Sequence, residues 1–207
     1  MNQIFKTQNE VRIYDFKECL KYLDQLGKQK FGPHFEIRQD DSEIIYKLLV
    51  YAIGDKENCA QHNIDLNKGI LLLGPVGCGK TSLMTILKPF FSIEQQYVIK
   101  PSRDVSFEFI SNGYQTILKY GKMEKNYYFD DLGAEKSLKH FGNKCNTMGE
   151  ILLSRYDLFT QQKILTHATT NLNAQELEKL YGNRVRSRLR EMFNLIAFDK
   201  SILDKRK

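Results

Sequence analysis

A glycine-rich stretch between an apolar run and a helical pattern constrains this chain more than any other feature. Residues 74–81 read Gly-Pro-Val-Gly-Cys-Gly-Lys-Thr, which fits the G-x-x-x-x-G-K-[ST] pattern of phosphate-binding loops. The preceding apolar run, 70–73, is typical of a buried parallel strand, and residues 81–88 have the pattern of a helix. The glycines let backbone N–H groups converge on one point, where the helix N-terminus adds partial positive charge. The sequence therefore predicts a strand–loop–helix unit that binds phosphate.

The polar residues of this loop have predicted roles. We expect Lys80 to reach the β- and γ-phosphates of a bound nucleotide, and the Thr81 hydroxyl to bind Mg²⁺. The predicted nucleotide-binding residues are the whole loop and the start of the helix, namely Gly74, Pro75, Val76, Gly77, Cys78, Gly79, Lys80, Thr81 and Ser82. A glycine-rich turn without a ligand is the alternative, and the flanking strand and helix make it the weaker one.

Length and composition favour one globular domain with short extensions. The chain has 207 residues, of which 42% are hydrophobic, so it can bury a substantial core. It contains no apolar run near the length of a membrane span, and its first residues lack the apolar stretch of a secretion signal. Its four cysteines are scattered, which is typical of free thiols in a reducing compartment. We therefore expect a cytoplasmic protein that does not contact membranes.

Strand and helix patterns alternate from about residue 66 onward. Apolar runs predict five strands with helical crossovers between them, at about 70–73, 96–100, 127–129, 163–169 and 193–198. This alternation predicts an α/β fold, a parallel sheet covered by helices on both faces. Before it, the sequence predicts helices around 16–23 and 41–53. We therefore divide the chain into an N-terminal helical extension and lead-in, 1–65, and a P-loop core, 66–207.

An acidic pair follows the third predicted strand. Asp130 and Asp131 come directly after Tyr127-Tyr128-Phe129, about 50 residues beyond the loop. A carboxylate at the end of such a strand is the usual companion of a phosphate loop, so we expect Asp130 to hold Mg²⁺ and Asp131 to orient the attacking water. Glu135 is an alternative for the second role, and a surface turn is the alternative for the whole segment.

A third polar group ends the fourth predicted strand. Asn171 follows Thr169 and Thr170, and ligands of open parallel sheets bind at the carboxyl ends of strands. Asn171 is therefore predicted to face the γ-phosphate and to position water. Its alternative role is to begin the turn that leads to Asn173.

The three motifs in this order resemble the AAA+ ATPases. Residues 129–135 (FDDLGAE) are similar to a stretch of the DnaC/DnaI-type helicase loaders and the IstB-type transposition helpers, and residues 169–172 look like their sensor-1 segment. Residues 181–189 look like the segment that carries their arginine finger, which would make Arg188 catalytic. The resemblance covers about 66–199. It implies a five-stranded P-loop core, ATP and Mg²⁺ as cofactors, and self-association in the ATP state with the active site between subunits. It further implies single-stranded DNA and a replicative helicase, transposase or recombinase as partners.

Two departures from the AAA+ pattern keep other functions open. The sequence after Phe198 is too short for the usual helical lid, so we expect this lid to be reduced or absent. Asp131 is one methylene shorter than the glutamate usual at its position, which predicts slow or partner-stimulated hydrolysis. A small P-loop metabolite kinase and a nucleotide-gated interaction protein with little hydrolysis are the alternatives to a DNA-replication or mobile-element accessory ATPase.

Basic side chains define a candidate path for a DNA strand. From Tyr181 onward the chain has eight basic residues against three acidic ones, within a net charge of +6. A basic cluster can bind phosphates or can simply be a solvated surface. The residues that we predict to line the path are Lys136, Lys139, His140, Lys144, Arg186 and Arg190.

Overall fold

The computed structural model describes residues 4–9, 11–135, 138–140, 143–199, 202 and 204–205. The described strands are β1 (Phe5–Gln8), β2 (Val11–Tyr14), β3 (Gly69–Leu73), β4 (Tyr97–Pro101), β5 (Asn126–Leu132), β6 (Leu138–His140), β7 (Asn143–Cys145), β8 (Thr166–Thr170) and β9 (Phe193–Ala197). The described α-helices are α1 (Phe16–Phe31), α2 (Ser42–Ala52), α3 (Lys56–Gln61), α4 (Lys80–Ile86), α5 (Ser102–Asn112), α6 (Tyr114–Lys122), α7 (Thr147–Gln162), α8 (Ala174–Tyr181) and α9 (Asn183–Met192).

A five-stranded parallel sheet organises the chain, in the order β4-β5-β8-β3-β9. This arrangement confirms the predicted α/β fold class. Strand β8 lies between β5 and β3, and Thr170 at its end pairs with both Leu132 and Leu73. The carboxyl ends of these three strands therefore meet at one edge, where the phosphate loop begins.

Helices cover both faces of this sheet. Alternate residues of β3 point to opposite sides, so Ile70 and Leu72 join one apolar core whereas Leu71 joins the other. The first core is completed by α1, α2, α3 and α4, and the second by α5, α6, α7, α8 and α9. The helix that follows the phosphate loop and the arginine-rich helix α9 thus lie on opposite faces of the sheet.

The structure differs from the sequence predictions in several elements. The helix predicted near 106–120 is two helices, because Gly113 adopts a φ of 53° and its N–H caps the carbonyl of Phe109 at 2.8 Å. Two antiparallel hairpins, β1–β2 and β6–β7, were not predicted. The predicted cap of α8 is confirmed, since Asn173 and Glu176 form a reciprocal capping box. Among the described helices, none is long and apolar enough to cross a membrane.

A buried histidine lies at the centre of the first core. The side chain of His167 is completely buried among the rings of Tyr51, Phe91 and Tyr97, and its Nδ1 accepts a hydrogen bond from the N–H of Ile70 at 3.2 Å. Burial, and secondarily the charge of Arg155, lowers the pKa of His167 to about 3. The folded protein therefore keeps this imidazole neutral.

We expect this histidine to make folding stability sensitive to acid. Below its ordinary pKa of 6.5 the unfolded chain binds a proton that the folded chain excludes, so stability is complete above pH 6.5 and is lost as the pH falls toward 3. At pH 4.5 the loss from this residue should be about 2–3 kcal/mol. Urea unfolding between pH 4.5 and 7.5 checks this prediction, with His167→Gln as the test variant and the partly exposed His62→Gln as its control. An unchanged pH slope in His167→Gln would contradict it.

Candidate nucleotide-binding site

The phosphate loop connects β3 to α4, and two of its carbonyl oxygens bind the side chain of its own lysine. Gly77 and Gly79 have φ values of 81° and 99°, in the left-handed region that favours glycine. Gly79 is also the N-cap of α4, so the loop passes directly into the helix. Lys80 is buried, and its Nζ donates hydrogen bonds to the carbonyl oxygens of Gly74 at 2.7 Å and Pro75 at 2.9 Å. These contacts hold the ammonium group at the concave side of the loop.

A cavity of about 510 Å³ adjoins the loop. Its wall includes the loop residues Lys80, Thr81 and Ser82. It also includes the aromatic residues Phe31, His34 and Phe35, from the end of α1 and the turn after it. Positively charged and aromatic side chains supply the two chemistries that a nucleotide requires. The sequence analysis did not identify the aromatic part of this wall.

Asp130 lies at the carboxyl end of β5, within hydrogen-bond distance of the loop. Its two carboxylate oxygens accept hydrogen bonds from the Thr81 hydroxyl at 2.9 and 3.0 Å. The Thr169 hydroxyl donates to Oδ1 of the same carboxylate at 2.7 Å, and the Tyr128 hydroxyl also donates to it. Burial raises the pKa of Tyr128, which keeps this phenol protonated as a donor. A carboxylate and a hydroxyl at this distance fit Mg²⁺, which prefers oxygen ligands.

Asp131 has an unusual backbone conformation beside this carboxylate. Its φ is 57°, which aspartate tolerates better than most residues, and its N–H donates to the Thr169 hydroxyl at 2.9 Å. Its exposed side chain contributes to the wall of the 510 Å³ cavity and to that of a second cavity beside α5. Thr169 therefore fixes both neighbouring acids, a role that the sequence analysis did not assign to it.

Glu135, the alternative water-orienting residue, is engaged elsewhere. Its Oε2 accepts a hydrogen bond from the Gly133 N–H at 2.8 Å, and its Oε1 accepts one from the Tyr181 hydroxyl. These contacts connect the turn after β5 to the end of α8. The observed geometry gives Glu135 a structural role.

Asn171 lies immediately after the last residue of β8, and its side chain is exposed. It is one residue beyond Thr170, whose hydroxyl donates to the Leu132 carbonyl at 2.7 Å and accepts from the Leu172 N–H at 3.0 Å. The hydroxyls of Thr169 and Thr170 thus fix the strand end from which Asn171 projects. A contact between Asn171 and the γ-phosphate stays a prediction.

Arg188 lies on α9, on the face of the sheet opposite to α4. Its guanidinium carbon is 4.2 Å from the centre of the Tyr156 ring, and its Nη1 donates to Glu191 Oε1 at 3.1 Å. Its side chain is 36% exposed, so another molecule can reach it. The sheet separates Arg188 from the helix that follows its own phosphate loop, and its catalytic role stays a prediction.

The other arginines of α9 differ in their contacts. Arg186 is paired with Glu178 of α8, whereas Arg184 and Arg190 are exposed. The pairing of Arg186 offsets its positive charge. Arg190 is therefore the more accessible of the two arginines that we predicted to contact DNA.

The fold that carries this site is similar to that of several solved structures. Solved structures of this fold include a DnaC helicase loader, with a TM-score of 0.55, 19% identity, and coverage of 79% of this chain and 92% of that chain. A DnaI structure is similar with a TM-score of 0.53 and 19% identity, covering 82% of this chain and 87% of that chain. AMPPCP-bound DnaA from Aquifex aeolicus is similar at a TM-score of 0.50 and 19% identity, covering 83% of this chain and 50% of that chain. The resemblance to the helicase-loader fold is therefore confirmed. No protein-family model and no curated protein matches the chain.

Proposed function

We propose that this chain is an ATPase that assists DNA replication or a mobile DNA element in the manner of a helicase loader. The observation that carries this proposal is the hydrogen bond at 2.9 Å between the Thr81 hydroxyl and the Asp130 carboxylate. It joins the phosphate loop to a strand two positions away in the sheet, where an Mg²⁺–ATP site requires both groups. The helicase loaders among the similar structures, and the AMPPCP bound to DnaA, support the same assignment.

Different residues of the cavity bind different parts of ATP. The loop N–H groups and Lys80 bind the β- and γ-phosphates. For this, the Lys80 ammonium replaces its hydrogen bonds to the loop carbonyls with hydrogen bonds to phosphate oxygens. Phe35 and its aromatic neighbours in the cavity wall pack against the base. Thr81 and Asp130 would hold Mg²⁺, which neutralises charge on the phosphates when it is bound.

Hydrolysis requires a positioned water and a stabilised transition state. Asp131 accepts a hydrogen bond from the attacking water, and Asn171 orients that water against the γ-phosphate. Arg188 from a neighbouring subunit stabilises the charge that develops on the phosphates. The active form is therefore a self-associated one, assembled in the ATP state.

Single-stranded DNA and a helicase, transposase or recombinase are the proposed partners. Of the basic residues predicted to line a DNA path, Lys136 lies outside the described residues, as do the side chains of Lys139, His140 and Lys144. Lys139, His140 and Lys144 belong to the hairpin β6–β7. The exposed Arg190 on α9 is the remaining candidate contact to a DNA phosphate.

Two variants and one ligand test the proposed function. Lys80→Ala should weaken ATP binding by about 1.5–3 kcal/mol, the range for charge-assisted hydrogen bonds, as measured by isothermal titration. Asp130→Asn should bind ATP but lose Mg²⁺-dependent hydrolysis, and single-stranded DNA should stimulate hydrolysis by the wild-type protein. The exposed Glu57→Gln on α3 is the control, for which both measurements should equal those of the wild type.

The outcomes separate the alternatives. Equal ATP affinities of the wild type and Lys80→Ala would contradict the assignment of the loop. Phosphoryl transfer to a small acceptor would favour a metabolite kinase, and ATP binding without turnover would favour a nucleotide-gated interaction protein. The absence of DNA binding in fluorescence anisotropy at low salt with ATP present would leave a protein as the sole partner.

A further inference from the structure

The segment after β9 returns over the phosphate loop. Phe198 donates its N–H to the Leu73 carbonyl at 2.8 Å, and Ile202 packs against the apolar core on the α4 side of the sheet. Lys205 then donates its N–H to the Gly77 carbonyl at 3.1 Å. The described residues of this C-terminal segment are 198–199, 202 and 204–205, and of these Phe198, Asp204 and Lys205 lie against the loop.

The Lys205 side chain contributes to the wall of the cavity beside the loop. Its ammonium group lies 3.7 Å from the point that a Cβ on Gly79 would occupy, and 5.5 Å from the centre of the Phe198 ring. It is paired with the carboxylate of Asp41, which is only 2% exposed. An ammonium group whose charge is partly offset by Asp41 therefore lies next to Gly79, the N-cap of α4.

Acids also lie near Lys205, on this cavity wall and on a neighbouring one. Glu36 and Asp131 line the same cavity as Lys205, and Asp41 lines a neighbouring cavity together with Lys205, Arg38 and Lys47. Asp204 packs against Gly77, with Oδ1 2.0 Å from the point that a Cβ there would occupy, but it is not among the residues of the cavity wall. Among the described residues of the C-terminal segment, Lys205 is thus the one that lines this cavity.

We propose that Lys205 is a second cationic nucleotide-binding residue, which contacts the phosphates together with Lys80. This proposal rests on the proposed function of the loop and adds a contact to it. Asp41 positions the ammonium before the nucleotide arrives, so little side-chain entropy is lost on binding. Because the Lys205 side chain is only 17% exposed, water screens its attraction for phosphate less than at an open surface.

Isothermal titration of Lys205→Met with ATP and with adenosine tests the proposal. A lost charge-assisted hydrogen bond should weaken ATP binding by about 10- to 100-fold and leave adenosine binding unchanged, since adenosine has no phosphate. Lys205→Arg should retain most of the ATP affinity because it keeps the charge. The exposed Lys56→Met on α3 is the matched control and should bind ATP like the wild type.

Each other outcome overturns the proposal. Unchanged ATP affinity of Lys205→Met with a lower melting temperature would show that Lys205 only ties the C-terminal segment to Asp41. Increased affinity would show that the segment obstructs the cavity. ATP binding that depends on Lys80 but not on Lys205 would overturn this inference alone, whereas a wild-type protein that binds no ATP would overturn the proposed function as well.

Discussion

Replacing Arg188 by alanine should lower ATP hydrolysis by about 10³- to 10⁵-fold, the range for an arginine finger that is fully used. ATP affinity should stay close to that of the wild type, because Arg188 lies on the face of the sheet opposite to its own α4. The measurement compares turnover with equilibrium binding at protein concentrations that allow self-association. Arg190→Ala, an exposed arginine on the same helix, is the control in the absence of DNA.

A mixing experiment shows whether the site is shared. Subunits with Arg188→Ala and subunits with Lys80→Ala should each be inactive, but a mixed assembly joins an intact loop to an intact arginine at some interfaces. Partial recovery of hydrolysis on mixing is the expected result. Failure to recover, together with a monomeric protein at all nucleotide concentrations, would make Arg188 a surface arginine that is held by Tyr156 and Glu191.

The second large effect concerns Arg155, a completely buried arginine on α7. Its guanidinium donates hydrogen bonds, each of 2.9 Å, to the Thr166 hydroxyl and to the carbonyls of Met123, Lys125 and Leu165. Burial lowers its pKa to about 10, which leaves it charged at neutral pH. One side chain thus connects α7 to the segments that precede β5 and β8.

Arg155→Met should destabilise the fold by about 3–5 kcal/mol, because it leaves several buried acceptors without donors. Arg155→Lys should cost less, since it keeps the charge but not the fork of donors. Chemical denaturation measures both losses. The exposed Arg184→Met is the control and should change stability by less than about 0.5 kcal/mol. If Arg155→Met lowered the free energy of unfolding no more than the control does, this account would be contradicted.

The sequence predicted the sheet because strand and helix patterns alternate along the chain. Each of the five predicted strands is present, and the strand that contains Tyr128 ends at the acidic pair as expected. The break at Gly113 was missed because a single glycine inside a helical pattern is often tolerated. The hairpin β1–β2 was missed because its strands are short and its first strand is mostly exposed.

The loop and the acidic pair were each predictable because each is a short motif of residues adjacent in sequence. The aromatic part of the cavity wall was not, since Phe31 and Phe35 join the loop residues in one wall only through the tertiary fold. The packing of Phe35 on Gly27, where a Cβ would lie 2.0 Å from the ring, is likewise invisible in the sequence. The ion pair between Lys205 and Asp41 is also invisible in the sequence, because the two residues are far apart along the chain. These contacts are products of tertiary structure, for which no local pattern exists.

The separation of α4 and α9 by the sheet affects how subunits would assemble. If each loop is completed by the arginine of the next subunit, the contact is head-to-tail and gives the assembly a direction. An open row of such subunits has one terminal loop that lacks an arginine and one terminal arginine that lacks a loop. Only closure into a ring would complete every site, and an open row would keep a distinct leading and trailing end.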